Sequence, residues 1–255
     1  MKGLNRKIKD WRSHRVWIVG ASSGIGAALV SALREKGARV ALSARNADKL
    51  NAVATEADLV QPLDVTNADS IQESYAEIKH NWGGIDLIIY CAGYYKPMRA
   101  WELEPTEIET TLKINLHGVY NLLNTAVPEL LDQASGGICL IASVAGYTGL
   151  PKAVAYGPSK AAMINLAQIL FSDLRPKGID VYLVNPGFVD TRLTKQNDFA
   201  MPALITPNEA AASILAGFER GNFEIHFPKR FTSFMRLLAM LPDRLRFYLL
   251  NKAVT

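Results

Sequence analysis

The sequence has few of the residues that build disulfide frameworks and metal centres. Among its 255 residues there are two cysteines, Cys91 and Cys139, and four histidines. Two cysteines without a histidine cluster predict neither a disulfide framework nor a zinc site. Both lie in apolar, strand-like runs, which favours buried free thiols. We therefore expect no metal site in this protein.

Long apolar runs and a strong charge of one sign are also missing. No uncharged apolar run reaches the length of a membrane span, and the basic first fifteen residues lack the apolar core of a secretory signal. The net charge of +4 is mild, and its basic excess lies mainly at the two ends of the chain. These absences predict a soluble cytoplasmic protein that does not bind nucleic acid.

What the sequence does have is a high apolar content, 49%, and a regular alternation of two kinds of segment. Short apolar runs, which predict strands, alternate with longer segments of helical period. Strands that are apolar throughout are buried on both faces, as in a parallel sheet. The alternation therefore predicts an α/β fold, with a Rossmann-type doubly wound parallel sheet of about seven strands in a single domain.

The predicted domain covers residues 1–230, and an amphipathic helical tail follows at residues 231–255. Its strands are predicted at Arg15–Gly20, Arg39–Ser43, Asp58–Pro62, Ile85–Cys91, Gly137–Ala142, Asp180–Asn185 and Asn222–Phe227. Its helices are predicted at Gly26–Lys36, Asn46–Glu56, Asn67–Asn81, Thr106–Gln133, Ala153–Pro176 and Thr206–Arg220. In the tail, the stretch Phe231–Val254 predicts one or two helices broken near Pro242, because proline interrupts a helix.

A glycine-rich turn joins the first predicted strand to the first helix. From Gly20 to Gly26 it has the sequence Gly-Ala-Ser-Ser-Gly-Ile-Gly. Such glycines let the backbone approach a pyrophosphate, while the helix N-terminus offers free N–H groups and a positive dipole end. The spacing differs from the usual dinucleotide fingerprint, and any tight turn needs glycines. The turn alone therefore leaves a purely structural role open beside cofactor binding.

The end of the second predicted strand indicates which dinucleotide would bind. An NAD enzyme places a carboxylate there to bond the ribose 2′-hydroxyl, but this strand ends Ser43-Ala44-Arg45. Arg45 can pair with a 2′-phosphate and Ser43 can hydrogen-bond to it, while Ala44 leaves room. The sequence therefore predicts NADP(H), with an ordinary surface role for Arg45 as the alternative.

A tyrosine and a lysine open the long helix that follows the fifth strand. Tyr156 and Lys160 are four residues apart, so they lie on one helical face. A neighbouring ammonium favours the phenolate and lowers the pKa of a tyrosine toward neutral pH. Ser143, at the end of the preceding strand, could donate a hydrogen bond to a carbonyl oxygen beside the tyrosine hydroxyl. The trio predicts acid–base chemistry at a carbonyl or alcohol.

From about Arg15 to Phe227 the chain resembles the short-chain dehydrogenase/reductase family. The matching positions follow one register: Gly20, Gly24 and Gly26 in the turn, Asp64-Val65 at the adenine contact, the catalytic Asn115, Ser143, Tyr156 and Lys160, the Asn185-Pro186-Gly187 turn, and Thr191 at the nicotinamide carboxamide. The resemblance implies an NADP(H)-dependent oxidoreductase that transfers a hydride between the nicotinamide and a carbonyl or secondary alcohol. It also implies a homodimer or homotetramer, paired through the two long helices.

The resemblance assigns a role to each catalytic position. Tyr156 exchanges a proton with the substrate oxygen, and Ser143 positions that oxygen and stabilises its developing charge. Lys160 bonds the nicotinamide ribose and lowers the pKa of the tyrosine, while Asn115 holds a water that links Lys160 to solvent. Together with the motifs above, the implied cofactor contacts are Gly20, Ser22, Ser23, Gly24, Ile25, Gly26, Ser43, Arg45, Asp64, Val65, Cys91, Ala92, Gly93, Tyr156, Lys160, Pro186, Gly187, Val189 and Thr191.

The chain departs from the family after the fourth strand. The family usually has Asn-Asn-Ala-Gly, whereas this chain has Tyr90-Cys91-Ala92-Gly93. Cys91 replaces an asparagine whose amide helps to tie the central sheet together, and a thiol is a weaker hydrogen-bonding group. The departure puts that tie in doubt but not the chemistry, because Gly93 still lets the backbone approach the cofactor.

The substrate cannot be read from the sequence, but its class can be narrowed. Loops after the fourth, fifth and sixth strands predict an apolar or aromatic pocket, built from Tyr94, Tyr95, Met98, Trp101, Tyr147, Leu150, Phe188 and Leu193. The apolar stripe of the tail, with its interleaved basic residues, has three possible partners: the substrate cleft, a second subunit or a membrane surface. A non-catalytic NADP-binding protein on the same fold is also compatible with the sequence. A nucleotide-sugar epimerase has little support from so short a tail.

Overall fold

A seven-stranded parallel sheet forms the centre of the computed structural model, which describes residues 3–252. In chain order the strands are β1 Arg15–Val19, β2 Arg39–Ser43, β3 Leu59–Val60, β4 Leu87–Tyr90, β5 Gly137–Ile141, β6 Asp180–Pro186 and β7 Glu224–Phe227. Their order across the sheet is β3-β2-β1-β4-β5-β6-β7. The order reverses direction between β1 and β4, and this switch point is where open α/β sheets bind ligands. The predicted doubly wound α/β fold is confirmed.

Helices cover both faces of the sheet. They are α1 Gly24–Glu35, α2 Ala47–Asn51, α3 Ala68–Trp82, α4 Pro105–Leu112, α5 Gly118–Gln133, α6 Tyr156–Leu174, α7 Pro207–Arg220, α8 Lys229–Met240 and α9 Asp243–Lys252. In β1, Val16 and Ile18 point into the core beneath α1 and α7, whereas Trp17 and Val19 point into the core beneath α3, α5 and α6. Since both faces are covered, the strand is apolar at every position after the first.

The long helix predicted at Thr106–Gln133 is divided in the structure. α4 ends at Leu112, a π-helix follows over Lys113–His117, and α5 begins at Gly118. The hydroxyl of Tyr90 donates to the carbonyl of Ile114 inside the π-helical turn. A side chain at Gly118 would collide with the Tyr90 hydroxyl, so glycine lets this turn approach β4. A single turn of π-helix inside an α-helix is often associated with a functional site.

The third strand and the second helix are shorter than predicted. β3 pairs with β2 only through Leu59 and Val60, at the edge of the sheet. Beyond the strand, the backbone N–H groups of Gln61 and Leu63 still donate to the carbonyls of Leu42 and Ala44, so Pro62, which has no N–H, lies at a position that need not donate to β2. α2 ends at Asn51, whereas the sequence predicts a helix to Glu56. Both differences lie at element ends, and neither changes the topology.

The tail consists of two helices, α8 and α9, separated at Leu241 and Pro242. The break lies where the sequence predicts it, although α8 begins at Lys229, before the predicted start at Phe231. Val254, the predicted end of the tail, lies outside the described residues. Within residues 3–252, no helix has both the length and the apolar content that crossing a membrane requires.

Candidate active site

A cleft opens at the carboxyl ends of the central strands, where the predicted cofactor residues meet. Its cavity has a volume of about 590 Å³, within the range of cofactor sites. The predicted residues that line it are Gly20, Ser22, Ser23, Gly24, Ile25, Arg45, Val65, Cys91, Ala92, Gly93, Ser143, Tyr156, Lys160, Pro186, Gly187, Val189 and Thr191. Ser43, Asp64, Gly26 and Asn115 are not among its lining residues.

The glycine turn leaves no space for side chains at its first and last positions. Gly20 has φ +98°, and a Cβ there would collide with the backbone of Ala92. A Cβ on Gly26 would collide with the carbonyl of Gly20, so this glycine packs α1 closely against β1. Ser23, the residue before α1, makes no side-chain cap. Gly24 and Ile25, the first residues of α1, line the cleft, and a helix N-terminus at this place fits an anionic pyrophosphate.

Two basic residues lie at the end of the cleft formed by β2 and α2. Arg45 and Lys49 both line the cavity and are exposed, and in the described part of the chain neither side chain pairs with a carboxylate. Lys49 was not predicted as a site residue, although it lies one helical turn after Arg45. A cleft with two cations and no acid at this end fits a 2′-phosphate.

The predicted hydrogen bond between the Ser43 side chain and a 2′-phosphate is wrong. Ser43 is fully buried, and its hydroxyl accepts a hydrogen bond of 2.9 Å from the indole N–H of Trp17. The alternation of side chains along β2 turns Ser43 into the core below α3, while Ala44 and Arg45 reach the cleft. A serine that looks available in the sequence is thus used to satisfy a buried tryptophan.

Asp64 does not line the cavity, although the neighbouring Val65 does. Its carboxylate accepts hydrogen bonds from the backbone N–H and the hydroxyl of Thr66, at 2.9 and 2.8 Å. These bonds shape the turn before α3 and bring Val65 to the cavity wall. A direct contact between Asp64 and an adenine stays a prediction.

Tyr156 and Ser143 lie on the wall between the cofactor cleft and a second cavity, and they line both. Ser143 follows β5, and Tyr156 is the first residue of α6. Burial raises the pKa of Tyr156 to about 12, against the lowering effect of the nearby Ser143 hydroxyl. The predicted lowering by Lys160 does not prevail, so the tyrosine is protonated at neutral pH. The ring of Tyr95 packs edge-on against Tyr156 at 4.9 Å.

Lys160 lies one helical turn below Tyr156 and is 3% exposed. Its ammonium is 5.6 Å from the ring centre of Tyr156 and donates to the carbonyl of Ile141 at 2.9 Å. Burial lowers the pKa of Lys160 to about 8. No carboxylate bonds this ammonium in the described residues, and its exposed side faces the cleft. An ammonium held in this way can bond a ribose hydroxyl at the floor of the cleft.

Asn115 lies behind the cleft and holds one of its loops. Its amide donates to the carbonyl of Tyr94 at 2.9 Å and to the hydroxyl of Ser159 at 3.0 Å, and its oxygen accepts from the N–H of Tyr94. These contacts join the loop after β4, the π-helix and α6. The side chain of Asn115 is therefore engaged with protein groups, and its predicted role in holding a water stays a prediction. Sequence reasoning gave no sign of the Tyr94 and Ser159 contacts.

The departure at Tyr90-Cys91 leaves the local structure intact. Cys91 pairs through its backbone N–H with the carbonyl of Val19 at 2.7 Å, and burial raises the pKa of its thiol to about 11. Tyr90 makes a different link from the asparagine amide that Cys91 replaces. Its hydroxyl donates a hydrogen bond to the π-helical turn that carries Asn115. The sheet is therefore linked to the catalytic region by a tyrosine.

The second cavity has a volume of about 610 Å³ and is mostly apolar. Of the residues predicted for a substrate pocket, Tyr95, Leu150, Phe188 and Leu193 line it. Four others do not: Tyr94 donates to Glu107, Tyr147 donates to Glu224, Met98 is buried, and Trp101 is exposed. The tail contributes much of the remaining wall, through Phe231, Phe234, Met235, Leu238, Leu249 and Leu250. The two tail helices thus cover the cavity next to Tyr156.

Polar contacts hold α8 against the sheet. The hydroxyl of Thr232 lies 2.7 Å from Nδ1 of His226 in β7, and Arg236 forms an ion pair of 3.4 Å with Glu224. Burial lowers the pKa of His226, and the nearby Lys229 lowers it further. A Cβ on Gly187 would lie 2.8 Å from the ring of Phe231, so glycine lets α8 pack on the loop after β6. Gly187 therefore serves the tail as well as the cleft.

Comparison with known proteins agrees with this geometry. The family model for short chain dehydrogenase matches residues 14–201, which is most of the chain. The chain belongs to the short-chain dehydrogenase family. Among similar proteins of this kind, an uncharacterised oxidoreductase of Myxococcus xanthus is 32% identical over 234 residues, which is 89% of this chain and 92% of that protein. An uncharacterised oxidoreductase of Staphylococcus aureus is 32% identical over 202 residues, covering 78% and 87%.

The fold of this short-chain dehydrogenase is also found in solved structures. A short chain dehydrogenase from Burkholderia cenocepacia, crystallised in complex with NADP, superposes with a TM-score of 0.83 and 25% identity. The match covers 96% of this chain and 99% of that one. The protein is an oxidoreductase of this family.

Proposed function

We propose that this protein is an NADP(H)-dependent reductase of apolar carbonyl compounds. The observation that carries the proposal is the position of Tyr156 and Ser143 on the wall shared by a cofactor-sized cleft and an apolar cavity. A carbonyl oxygen that enters from the apolar side reaches both hydroxyls. A nicotinamide bound from the other side reaches the same point.

NADP(H) would be held at three places along the cleft. Arg45 and Lys49 would bond the 2′-phosphate, the N-terminus of α1 would face the pyrophosphate, and Lys160 would bond the nicotinamide ribose. When bound, the cofactor supplies the hydride. The Burkholderia relative, which binds NADP, supports this preference. So does the absence of a carboxylate among the residues at the β2 end of the cleft.

The protonation of the site favours reduction. With a pKa of about 12, Tyr156 is protonated at neutral pH and can donate its proton to the carbonyl oxygen. The Ser143 hydroxyl, which lines the same wall as Tyr156, can stabilise the charge that develops on that oxygen. Lys160, with a pKa of about 8, keeps a positive charge beside the tyrosine as the phenolate forms. Asn115 holds the loop and helix that position these groups.

The substrate class follows from the second cavity. Its wall is formed by aromatic and branched side chains of the loops and of the tail, including Tyr95, Phe188 and Phe231. Such a wall fits a lipophilic ketone or aldehyde better than a charged metabolite. The polar groups Arg99, Lys152 and Asp198 lie at the same cavity, and Lys152 and Asp198 pair with each other.

We also propose a homodimer or homotetramer in the cytoplasm. Tyr120 and Leu131 on α5 and Ile169 on α6 are large apolar side chains left exposed in the single chain. Family members pair through these two helices, and a second subunit would cover them. Two free thiols are consistent with a reducing compartment.

The proposal is tested by following NADPH absorbance with a panel of long-chain and cyclic ketones. We expect turnover of apolar carbonyls and a fall of several orders of magnitude in Tyr156→Phe, with unchanged NADPH affinity. The variant removes only the proton donor, so its fold and cofactor cleft serve as the internal control. Near-normal turnover by Tyr156→Phe on a good substrate would contradict the assigned mechanism.

A further inference from the structure

The tail helices use only one face to cover the cavity. Met235 and Leu238 of α8 and Leu250 of α9 are buried together against Val144, in a small core of their own. Arg246 of α9 also donates to the carbonyl of Ala239, the penultimate residue of α8, at 3.2 Å. Because the inner faces of both helices share this core, their outer faces lie side by side on the surface.

The outer face is unusually apolar. Of the fourteen large hydrophobic side chains that are exposed in the described residues, six lie on this helix pair: Phe234, Leu237, Met240, Leu245, Phe247 and Tyr248. Met240 alone is 82% exposed. Concentrated exposed apolar surface of this kind marks an interaction site.

The segment that carries this face is strongly basic. Residues 229–252 contain six basic residues and one acid, a net charge of +5, whereas the whole chain has +4. The rest of the chain therefore has a net charge of −1. Lys229, Arg230 and Arg244 are exposed, and none of them pairs with a carboxylate in the part of the chain that the structure describes. The partner of this surface is therefore expected to be anionic.

The charge argues against a second copy of the chain as that partner. A twofold dimer brings the same patch of both subunits together. Such a contact would bring the exposed, unpaired Lys229, Arg230 and Arg244 of one tail close to the same residues of the other. An anionic lipid surface matches both properties of the face, since its headgroups attract the cations and its interior accepts the apolar side chains.

We propose that the outer face of α8 and α9 docks on an anionic phospholipid membrane. The substrate cavity would then open toward the bilayer, because Phe234 lines the cavity and is also 55% exposed on the docking face. Lipophilic carbonyls dissolved in the membrane could enter the cavity there. Only the entry of lipophilic carbonyls from the membrane rests on the proposed function, since docking itself requires no catalysis.

The test is co-sedimentation of the full-length protein, with NADPH, on vesicles of phosphatidylcholine with or without phosphatidylglycerol. Leu237→Gln/Met240→Gln removes apolar surface, and Arg230→Gln/Arg244→Gln removes charge, without touching either cavity. Leu4→Gln/Lys177→Gln is the matched control, because it changes an exposed leucine and an exposed lysine away from the tail. Reduction of a water-soluble ketone is measured in parallel as an independent readout.

We expect binding to anionic vesicles that falls with added salt. Removing two cations should weaken the partition coefficient roughly 30-fold, since each basic residue near an anionic surface contributes about 1 kcal/mol. The apolar variant should also bind weakly, while the control binds as the wild type does. Equal binding to neutral vesicles, or none at low salt, would overturn the proposal even if ketone reduction were normal. The face would belong to a contact with a second copy instead if two results came together: the wild type does not bind vesicles, and Leu237→Gln/Met240→Gln forms a smaller oligomer than the wild type.

Discussion

Replacing Arg45 by alanine separates recognition of the 2′-phosphate from binding of the rest of the cofactor. Arg45 and Lys49 line the β2 end of the cleft, and neither forms an ion pair with another described residue. A hydrogen bond to a charged group contributes about 1.5–3 kcal/mol. Because Arg45 is exposed and screened by solvent, the lower end of that range applies. NADPH should therefore bind roughly tenfold more weakly to Arg45→Ala, at about 1.4 kcal/mol per factor of ten.

Lys49 provides a second, smaller step in the same experiment. As an exposed point charge without bidentate geometry, it should contribute about 0.5–1 kcal/mol, or roughly a threefold change in affinity. The double variant should bind NADPH about thirtyfold more weakly than the wild type if the two effects add. NADH has no 2′-phosphate, so its affinity should not change in any of these variants.

The assay is a fluorescence titration of wild type, both single variants and the double variant with NADPH and NADH. Lys9→Ala, an exposed lysine that lines neither cavity, controls for the loss of one surface charge. Higher salt should weaken the NADPH preference, because surface charges are screened. Equal losses for NADPH and NADH in Arg45→Ala would refute the assignment. So would a wild type that binds the two cofactors equally.

Three further predictions concern the catalytic lysine, the tie to the sheet and assembly. The kcat/KM for NADPH reports ionisations of the free enzyme. It should fall as the pH rises through about 8, because Lys160 then loses its charge. The Lys160→Met variant should not show this fall. Tyr90→Phe removes the hydrogen bond to the buried carbonyl of Ile114, so it should destabilise the fold by about 1–3 kcal/mol and reduce kcat, as measured by calorimetry and turnover. The exposed Tyr248→Phe should do neither. Light scattering should give a dimer or tetramer at micromolar concentration, and a monomer would contradict pairing through α5 and α6.

The sequence by itself determined the fold and the placement of the tyrosine–lysine pair. Period and composition decide secondary structure locally, so the alternation of apolar strands with helices was enough to predict a doubly wound parallel sheet. Local spacing likewise placed Tyr156 and Lys160 on one turn of α6, because four residues make about one turn of any α-helix. The motifs near the strand ends identified most residues of the cleft, because parallel strands end at one edge of the sheet.

Only the tertiary structure decided which way individual side chains face and how strongly they titrate. Ser43 bonds the buried Trp17 because β2 turns it inward, and one β-strand position cannot be assigned to a face without its neighbours. The pKa of Tyr156 rises because desolvation outweighs the lowering effect of the nearby Ser143 hydroxyl, and desolvation depends on every element that surrounds the site. The tail shows the same limit. Its amphipathic pattern left three partners open, and the packing of Met235 and Leu238 against Val144 placed its inner face over the apolar cavity next to Tyr156.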